Sequence, residues 1–114
     1  MNLRILAINP GSSTTKLAVY ERETPLCEET NEHNGSAIAY SADPAGAIEF
    51  RMKHILNSMA AHGVEMDSLD AVVGRGGLLH PIPGGVYTVN ERMLADLRSG
   101  KYGDHASNMG AMLA

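Results

Sequence analysis

The sequence predicts an α/β fold on a mixed sheet, with three antiparallel strands in a meander, at least one parallel strand, and helices. Three observations carry that prediction. The apolar run Leu3 to Ile8 and the alternating run Lys16 to Glu21 flank a short loop, the arrangement of two antiparallel strands. Leu26 to Asn31 alternates between its two faces and supplies a third, more exposed strand. A helix-spaced series, Ile48, Met52, Ile55, Leu56 and Met59, then leads to the apolar run Ala71 to Val73. A strand reached through such a helix pairs in parallel with an earlier one by a right-handed crossover, here beside the first strand.

In Leu3 to Ile8 only Arg4 is charged, the composition of a central strand covered on both faces. Leu17, Val19 and Tyr20 make the second run a strand and not a helix. Pro25 is placed in the turn before the third strand, where its missing N–H costs no ladder bond. His33 to Ala42 is small and polar, carries the turn signal Asn34-Gly35-Ser36, and receives no assignment. Asp43-Pro44 reads as an N-cap and first helical residue, and Gly63 as the residue just past the helix end. The methionines of this helix read as core side chains and not as a cofactor box. Asp70 to Leu79 carries the strand Ala71 to Val73 into a glycine-rich turn around Arg75. Beyond an irregular stretch with Pro81, Pro83, Gly84 and Gly85, residues Gly85 to Val89 are expected to form a short strand. Asn90 caps a helix bearing Met93, Leu94 and Leu97 that Gly100 closes, and Asp104 caps a last helix from His105 onward. That helix meets Ala114 with no capping glycine, polar tail or closing strand, which reads as truncation. No internal repeat, low-complexity tract or linker interrupts the chain.

At 114 residues and 44% hydrophobic, the chain holds at most one domain with a modest core. Its formal charge of −4 argues against general nucleic-acid binding, which needs clustered Lys and Arg. A local positive spot at Lys16 and Arg75 remains suited to one small anion. The single cysteine, Cys27, cannot pair within the chain and reads as a packing residue in a reducing compartment. No basic leader precedes an apolar stretch, and no apolar run approaches the roughly 18 residues that span a bilayer. A soluble cytoplasmic protein without membrane partners is expected. His33, His54, His62 and His80 show no metal spacing with Cys27 or with paired carboxylates.

The strongest chemical signal is Asn9-Pro-Gly-Ser-Ser-Thr-Thr-Lys16. Gly11 lets backbone approach a ligand, four hydroxyls from Ser12 to Thr15 offer donors, and Lys16 adds positive charge, the makings of a phosphate cradle. It is not a Walker A loop: Thr15 stands where the second glycine is needed, Leu17 stands where Ser or Thr is needed, and a strand follows. The same residues also describe an ordinary Ser/Thr-rich hairpin turn whose hydroxyls satisfy backbone groups. Arg75, between Gly74 and Gly76-Gly77, is either a solvated loop arginine or a bidentate anion ligand. The crossover sends its turn and the end of the first strand to one sheet edge, where ligands of open α/β sheets bind. His105 and Asn108 would share a face near a helix N-terminus, with Ser107 beside them, as anion contacts or as cap and packing residues.

Four segments in this order, Ile5-Leu-Ala-Ile-Asn-Pro-Gly-Ser-Ser-Thr-Thr-Lys16, Asp70-Ala-Val-Val-Gly-Arg-Gly-Gly-Leu-Leu79, Gly84-Gly-Val-Tyr-Thr-Val-Asn90 and Asp104-His-Ala-Ser-Asn108, span nearly the whole chain. Together they resemble the butyrate kinases of the acetokinase family, within the acetate and sugar kinase, Hsp70 and actin superfamily. Val73-Gly-Arg-Gly-Gly-Leu-Leu79 is more similar to butyrate kinases than to acetate kinases, whose corresponding segment typically reads His-Arg-Val-Val-His-Gly. The resemblance implies that residues 1–114 form a ribonuclease H-like mixed sheet, the amino-terminal first lobe of an actin-like ATPase. It implies ATP-dependent phosphorylation of a short-chain carboxylate, butyrate to butanoyl phosphate, with Mg²⁺ and by direct in-line transfer. By position, it implies cofactor contacts at Asn9, Gly11, Ser12, Ser13, Thr14 and Lys16, and metal contacts at Asn9 and Ser12. Asn9 and Arg75 take catalytic roles, and Arg75, His105 and Asn108 contact the substrate. Butyrate kinases resemble longer, two-domain chains. A second arginine, a histidine, a glutamate and the adenine pocket are therefore expected outside these residues, with negligible turnover by this piece alone and a homo-oligomeric full-length enzyme. Two other readings stand beside this one: a non-catalytic phosphate- or nucleotide-binding piece, and a structural piece that self-associates through its apolar surface.

Overall fold

A computed structural model of the chain describes residues 3–33, 43–79, 83–103 and 105–114. Strands β1 (Arg4–Pro10), β2 (Thr14–Glu21) and β3 (Thr24–Glu32) precede helix α1 (Pro44–Ala61), strand β4 (Ala71–Gly74) and helices α2 (Glu91–Ser99) and α3 (Met109–Leu113). The strands lie in the order β3-β2-β1-β4. Pairs β1–β2 and β2–β3 are antiparallel and β1–β4 is parallel, so the sheet is mixed, as the sequence predicts.

Alternation along the strands decides where the core sits, because successive side chains point to opposite faces. Leu6 and Ile8 of β1, Leu17 and Val19 of β2 and Cys27 of β3 are buried on one face, against Ala47, Ile55 and Met59 of α1 and Met109 and Leu113 of α3. Each fully buried aliphatic side chain contributes roughly 1.5–3 kcal/mol. On the other face Ile5 and Ala7 are only half-buried. This corrects the expectation of a strand covered on both faces: β1 is central within the sheet, but the described residues cover it on one side.

Register is fixed at both ends of β1. The Asp70 N–H donates to the Arg4 carbonyl at 2.8 Å, and the Arg4 N–H donates to Asp70 Oδ2 at 2.8 Å. At the other end the Arg75 N–H donates to the Ile8 carbonyl at 2.9 Å. Pro25 lies inside β3, opposite Tyr20, and not in the turn, which falls on Arg22 and Glu23. Because β3 is an edge strand, a residue without an N–H is tolerated there. The same edge carries Glu28, Glu29 and Glu32, and Glu29 pairs with His62 at 2.8 Å.

Helix α1 starts where Asp43 Oδ1 accepts the Gly46 N–H at 3.1 Å, and Gly63 follows its end at φ 70. The buried face differs from the apolar stripe read in the sequence. Leu56 is 40% exposed, whereas Arg51 sits among Ala47, Ile55 and Met59 and is buried. Helix α2 is capped by Asn90, whose Oδ1 accepts the Met93 N–H at 2.9 Å, and closes on the left-handed Gly100. The strand expected over Gly85 to Val89 does not form. A strand needs a ladder partner, this segment pairs with none of the described strands, and Val86 is 90% exposed. At the last helix His105 is the cap, its Nδ1 accepting the Ser107 N–H at 3.0 Å. Asp104, the turn Asn34-Gly35-Ser36, His80 and Pro81 lie outside the described residues. Among the described residues no helix is long and apolar enough to cross a membrane.

Helix α3 reaches β4 through two glycines. A β-carbon on Gly74 would overlap the Gly110 carbonyl, and one on Gly110 would overlap the Arg75 carbonyl. Replacing Gly110 by alanine raises helix propensity by about 1 kcal/mol. The overlap is with backbone that cannot rotate away, and overpacking of this kind costs about 1 to 3 kcal/mol. Gly110→Ala is therefore expected to lower the urea unfolding midpoint. Gly76→Ala, whose β-carbon meets nothing, should leave the stability unchanged within about 0.5 kcal/mol. Equal midpoints for the two variants would contradict the close approach.

Candidate anion site

The open sheet face holds a cleft of about 650 Å³ lined by Asn9, Lys16 and Arg75, with Ala7, Ala18 and Val73 among its other lining residues. Register explains the grouping. Asn9 pairs with Lys16 across β1 and β2, and Ala7 with Ala18 two residues back on the same face. Val73 stands opposite Ala7 in the parallel pair, so Arg75, two residues on, arrives beside Asn9. The alanines leave the hollow, and the longer polar side chains surround its end. Thr30 and Glu28 of β3 also line it through their pairing with Lys16 and Ala18. An ammonium and a guanidinium, both exposed, thus share one concavity with an amide, donors of the kind a carboxylate or phosphoryl group takes, while the Glu28 and Glu29 carboxylates line the same concavity.

Behind the cleft the loop from Gly11 to Ser13 and the start of β2 at Thr14 and Thr15 are held from the other side. The Gly11 N–H donates to the Thr14 carbonyl at 2.8 Å, and the His33 N–H to the Ser13 carbonyl at 2.9 Å. Arg51, 2% exposed, donates through one terminal nitrogen to the Thr14 carbonyl at 2.8 Å and to Thr15 Oγ1 at 3.0 Å, and through the other to the Ser12 carbonyl at 3.3 Å. A guanidinium only donates, so Thr15 Oγ1 accepts from Arg51, and the same hydroxyl is hydrogen-bonded to His33 Nε2 at 2.9 Å. This corrects the reading of four ligand-facing hydroxyls. Ser12 and Ser13 are exposed, but Thr15 is fully buried on the helix side of the sheet.

The structure brings Asn9, Lys16 and Arg75 together and sets Gly11, Ser12 and Ser13 in the adjoining loop, with Thr14 at the start of β2. His105 and Asn108 do not line the cleft. Asn108 is fully buried, with Oδ1 accepting the Leu78 N–H at 2.8 Å and Nδ2 donating to the Gly103 carbonyl at 3.0 Å. It ties the turn after Arg75 to the last segment, and Gly77 leaves the room for it. Arg51, His33 and Thr30 were not found from the sequence. A charge four residues from both Ala47 and Ile55, inside an apolar stripe, was the available signal for Arg51. Among the described residues no group of three or more His, Cys, Asp or Glu could hold a metal ion.

The fold is an α/β arrangement on a mixed sheet, and its open face carries a cleft where Lys16 and Arg75 meet Asn9. Comparison with curated proteins is more specific. Over all 114 residues the chain is 50% identical to a protein named probable butyrate kinase from Listeria welshimeri. It is 50% identical to its namesake from Listeria innocua and 49% to one from Listeria monocytogenes, again over the full chain. The chain spans only 32% of each relative's length, the amino-terminal part. No family model matches it. Along its whole length, then, this chain is a homologue of the amino-terminal third of probable butyrate kinases.

His33 adds a pH dependence to the support of the loop. It is buried, with ring contacts to Phe50 at 5.0 Å and His54 at 5.1 Å between centroids. Desolvation lowers its pKa below the ordinary value, and the nearby charges of Arg51 and His54 add to that. The unfolded chain takes up this proton near pH 6.5 while the folded chain resists it, so this contribution to stability falls as pH drops below about 6.5. The decline ends once pH passes the lowered folded value. Chemical unfolding between pH 7.5 and 5.5 should show a weaker pH slope for His33→Gln than for the parent, by up to about 1.4 kcal/mol per pH unit. Identical slopes would contradict a neutral, buried His33.

Proposed function

We propose that this chain supplies part of the active site of an ATP-dependent carboxylate kinase of the butyrate kinase type, as the first lobe of a ribonuclease H-like, actin-like fold. The observation that carries the reading is the meeting of Asn9, Lys16 and Arg75 at one end of the sheet. Homology to probable butyrate kinases supports it, as does the mixed sheet with three antiparallel strands and one parallel strand.

In this reading a carboxylate oxygen of a short-chain acid attacks the terminal phosphorus of ATP. The new O–P bond forms as the bond to ADP breaks, giving an acyl phosphate. Such transfers depend chiefly on positioning and on charge stabilisation. Lys16 neutralises a phosphoryl oxygen as a point charge, and Arg75 takes the substrate carboxylate or the moving phosphoryl group in a bidentate grip. Asn9 donates its amide to the same group, while the Ser12 and Ser13 hydroxyls face the phosphate chain beyond Gly11. Each well-placed donor is worth about 2 to 4 kcal/mol of barrier. Asn9 and Ser12 also offer the hard oxygen atoms that Mg²⁺ on a nucleotide takes, fewer than a resident metal cage needs. That ion, when bound, screens phosphate charge. Asn108 acts through the turn that carries Arg75, and His105, which lies outside the cleft, takes no substrate role in this reading. A cytoplasmic location for the parent enzyme is part of the same proposal. A second reading, anion binding without turnover, is favoured for the 114 residues by themselves, because the chain spans only about a third of its relatives.

Amide NMR of the labelled chain separates these readings. Mg·ATP is expected to shift Asn9, Gly11 and Lys16 and butyrate to shift Arg75, with Lys16→Ala abolishing the nucleotide response. No shift in the parent protein would sink the site. For catalysis, the chain is grafted in place of the matching third of the Listeria welshimeri protein. The chimera should yield hydroxamate-trapped acyl phosphate from ATP and butyrate, and Arg75→Ala should reduce kcat about 10²- to 10³-fold. The 114 residues alone should yield none.

A further inference from the structure

Among the described residues Arg51 carries a buried charge whose position the helix core does not explain. Burying a guanidinium is costly, and an apolar side chain of similar volume would pack between Ala47 and Ile55 at no such cost. Among the described residues no carboxylate lies within ion-pair distance of it. Its Nε finds no acceptor there, and all of its hydrogen bonds run to Ser12, Thr14 and Thr15. Closing the hairpin does not require a cation, since β1 and β2 pair in register up to Pro10 and Thr15 and Gly11 bonds Thr14 directly.

What the guanidinium does control is the direction of the loop's peptide groups. A trans peptide is planar, so a carbonyl drawn to one side sends the next residue's N–H to the other. With the Ser12 carbonyl held by Arg51, the Ser13 N–H turns away from the helix. With the Ser13 carbonyl held by the His33 backbone, the Thr14 N–H turns away from β3. Backbone N–H groups released in this way at a turn can donate to an anion. A buried cation with no anionic partner among the described residues adds positive potential at the same place, because low-dielectric surroundings screen it little.

We propose that Arg51 is a positioning residue of the anion site: it fixes the Ser12–Thr15 backbone in an anion-accepting shape and leaves its charge to be balanced by the bound phosphate. This rests on the reading of the loop as a phosphate cradle. Neither Arg51 nor Thr15 touches the ligand.

The test uses the 114-residue protein with two probes, Mg·ATP and inorganic phosphate, titrated into the parent and into Lys16→Ala, Arg51→Met, Arg51→Lys and Thr15→Val, with a urea unfolding midpoint for each. Arg51→Met is expected to weaken both probes about tenfold or more, with amide shifts, apart from the α1 residues beside the substitution and His33, confined to residues 11–15 and those of Val72 and Leu97 unchanged. Arg51→Lys, which restores charge without the planar fork, should bind phosphate more tightly than Arg51→Met. Thr15→Val removes one acceptor of the fork at nearly constant volume and should weaken binding in the same direction, which keeps the test open if Arg51→Met does not fold. Parent-like affinity in Arg51→Met or Thr15→Val, alongside weakened binding in Lys16→Ala, would overturn the role of Arg51 and leave the cradle standing. Equal affinity for phosphate in Arg51→Met and Arg51→Lys would overturn the charge component. No binding by the parent, or undiminished binding by Lys16→Ala, would instead bring down the cradle reading and this proposal with it.

Discussion

Everything at the candidate site depends on β1 serving two neighbours at once. Its antiparallel partner brings Lys16 opposite Asn9, and its parallel partner delivers Arg75 through a single backbone bond to Ile8. Residues 9, 16 and 75 are distant in sequence, and only the shared strand makes them neighbours. A register slip of one residue in either pair would send Lys16 or Arg75 to the helix side. The core on the covered face resists such a slip, because Leu17 and Val19 of β2, or Val72 of β4, would then face outward.

The two faces of the sheet do different work. The covered face supplies stability through α1 and α3, and it also reaches the loop, through Arg51 and the Thr15–His33 pair. Support for the site therefore comes from the side opposite the cleft. The close contact of Gly74 with Gly110 and the burial of Asn108 extend this to the other half. They press the last segment against the turn that bears Arg75, so that the arginine leaves a backbone held on both sides.

Much of this was legible in the sequence, for identifiable reasons. Asp43, Gly63, Asn90 and Gly100 gave the limits of α1 and α2 because caps are local chemistry. The parallel placement of β4 followed from an amphipathic helix between two apolar runs, which is a constraint on topology. Leu56 and Arg51 were misplaced because helical spacing defines a stripe only to within about a residue's rotation, and a long polar side chain in that stripe goes unseen unless its partner is known. The partner of Arg51 is a set of main-chain carbonyls, which no side-chain pattern reveals. The strand expected at Gly85 to Val89 failed for a similar reason. Its β-branched residues satisfy propensity, but pairing depends on a neighbour that sequence spacing does not supply. Asn108 looked like a ligand contact because an amide beside a histidine has no local signature that separates binding from bracing.

The exposed strand β3 has a bearing on how this chain behaves among copies of itself. An open strand edge is a template on which another chain can add a strand, and β3 offers nine residues of it. Pro25 removes one donor from that edge, and Glu28, Glu29 and Glu32 place like charges where a second copy in register would bring its own. Edge-to-edge stacking of the native protein is thereby opposed by electrostatic repulsion that weakens as salt rises. Colloidal stability, in this chain, is written into the strand farthest from β4.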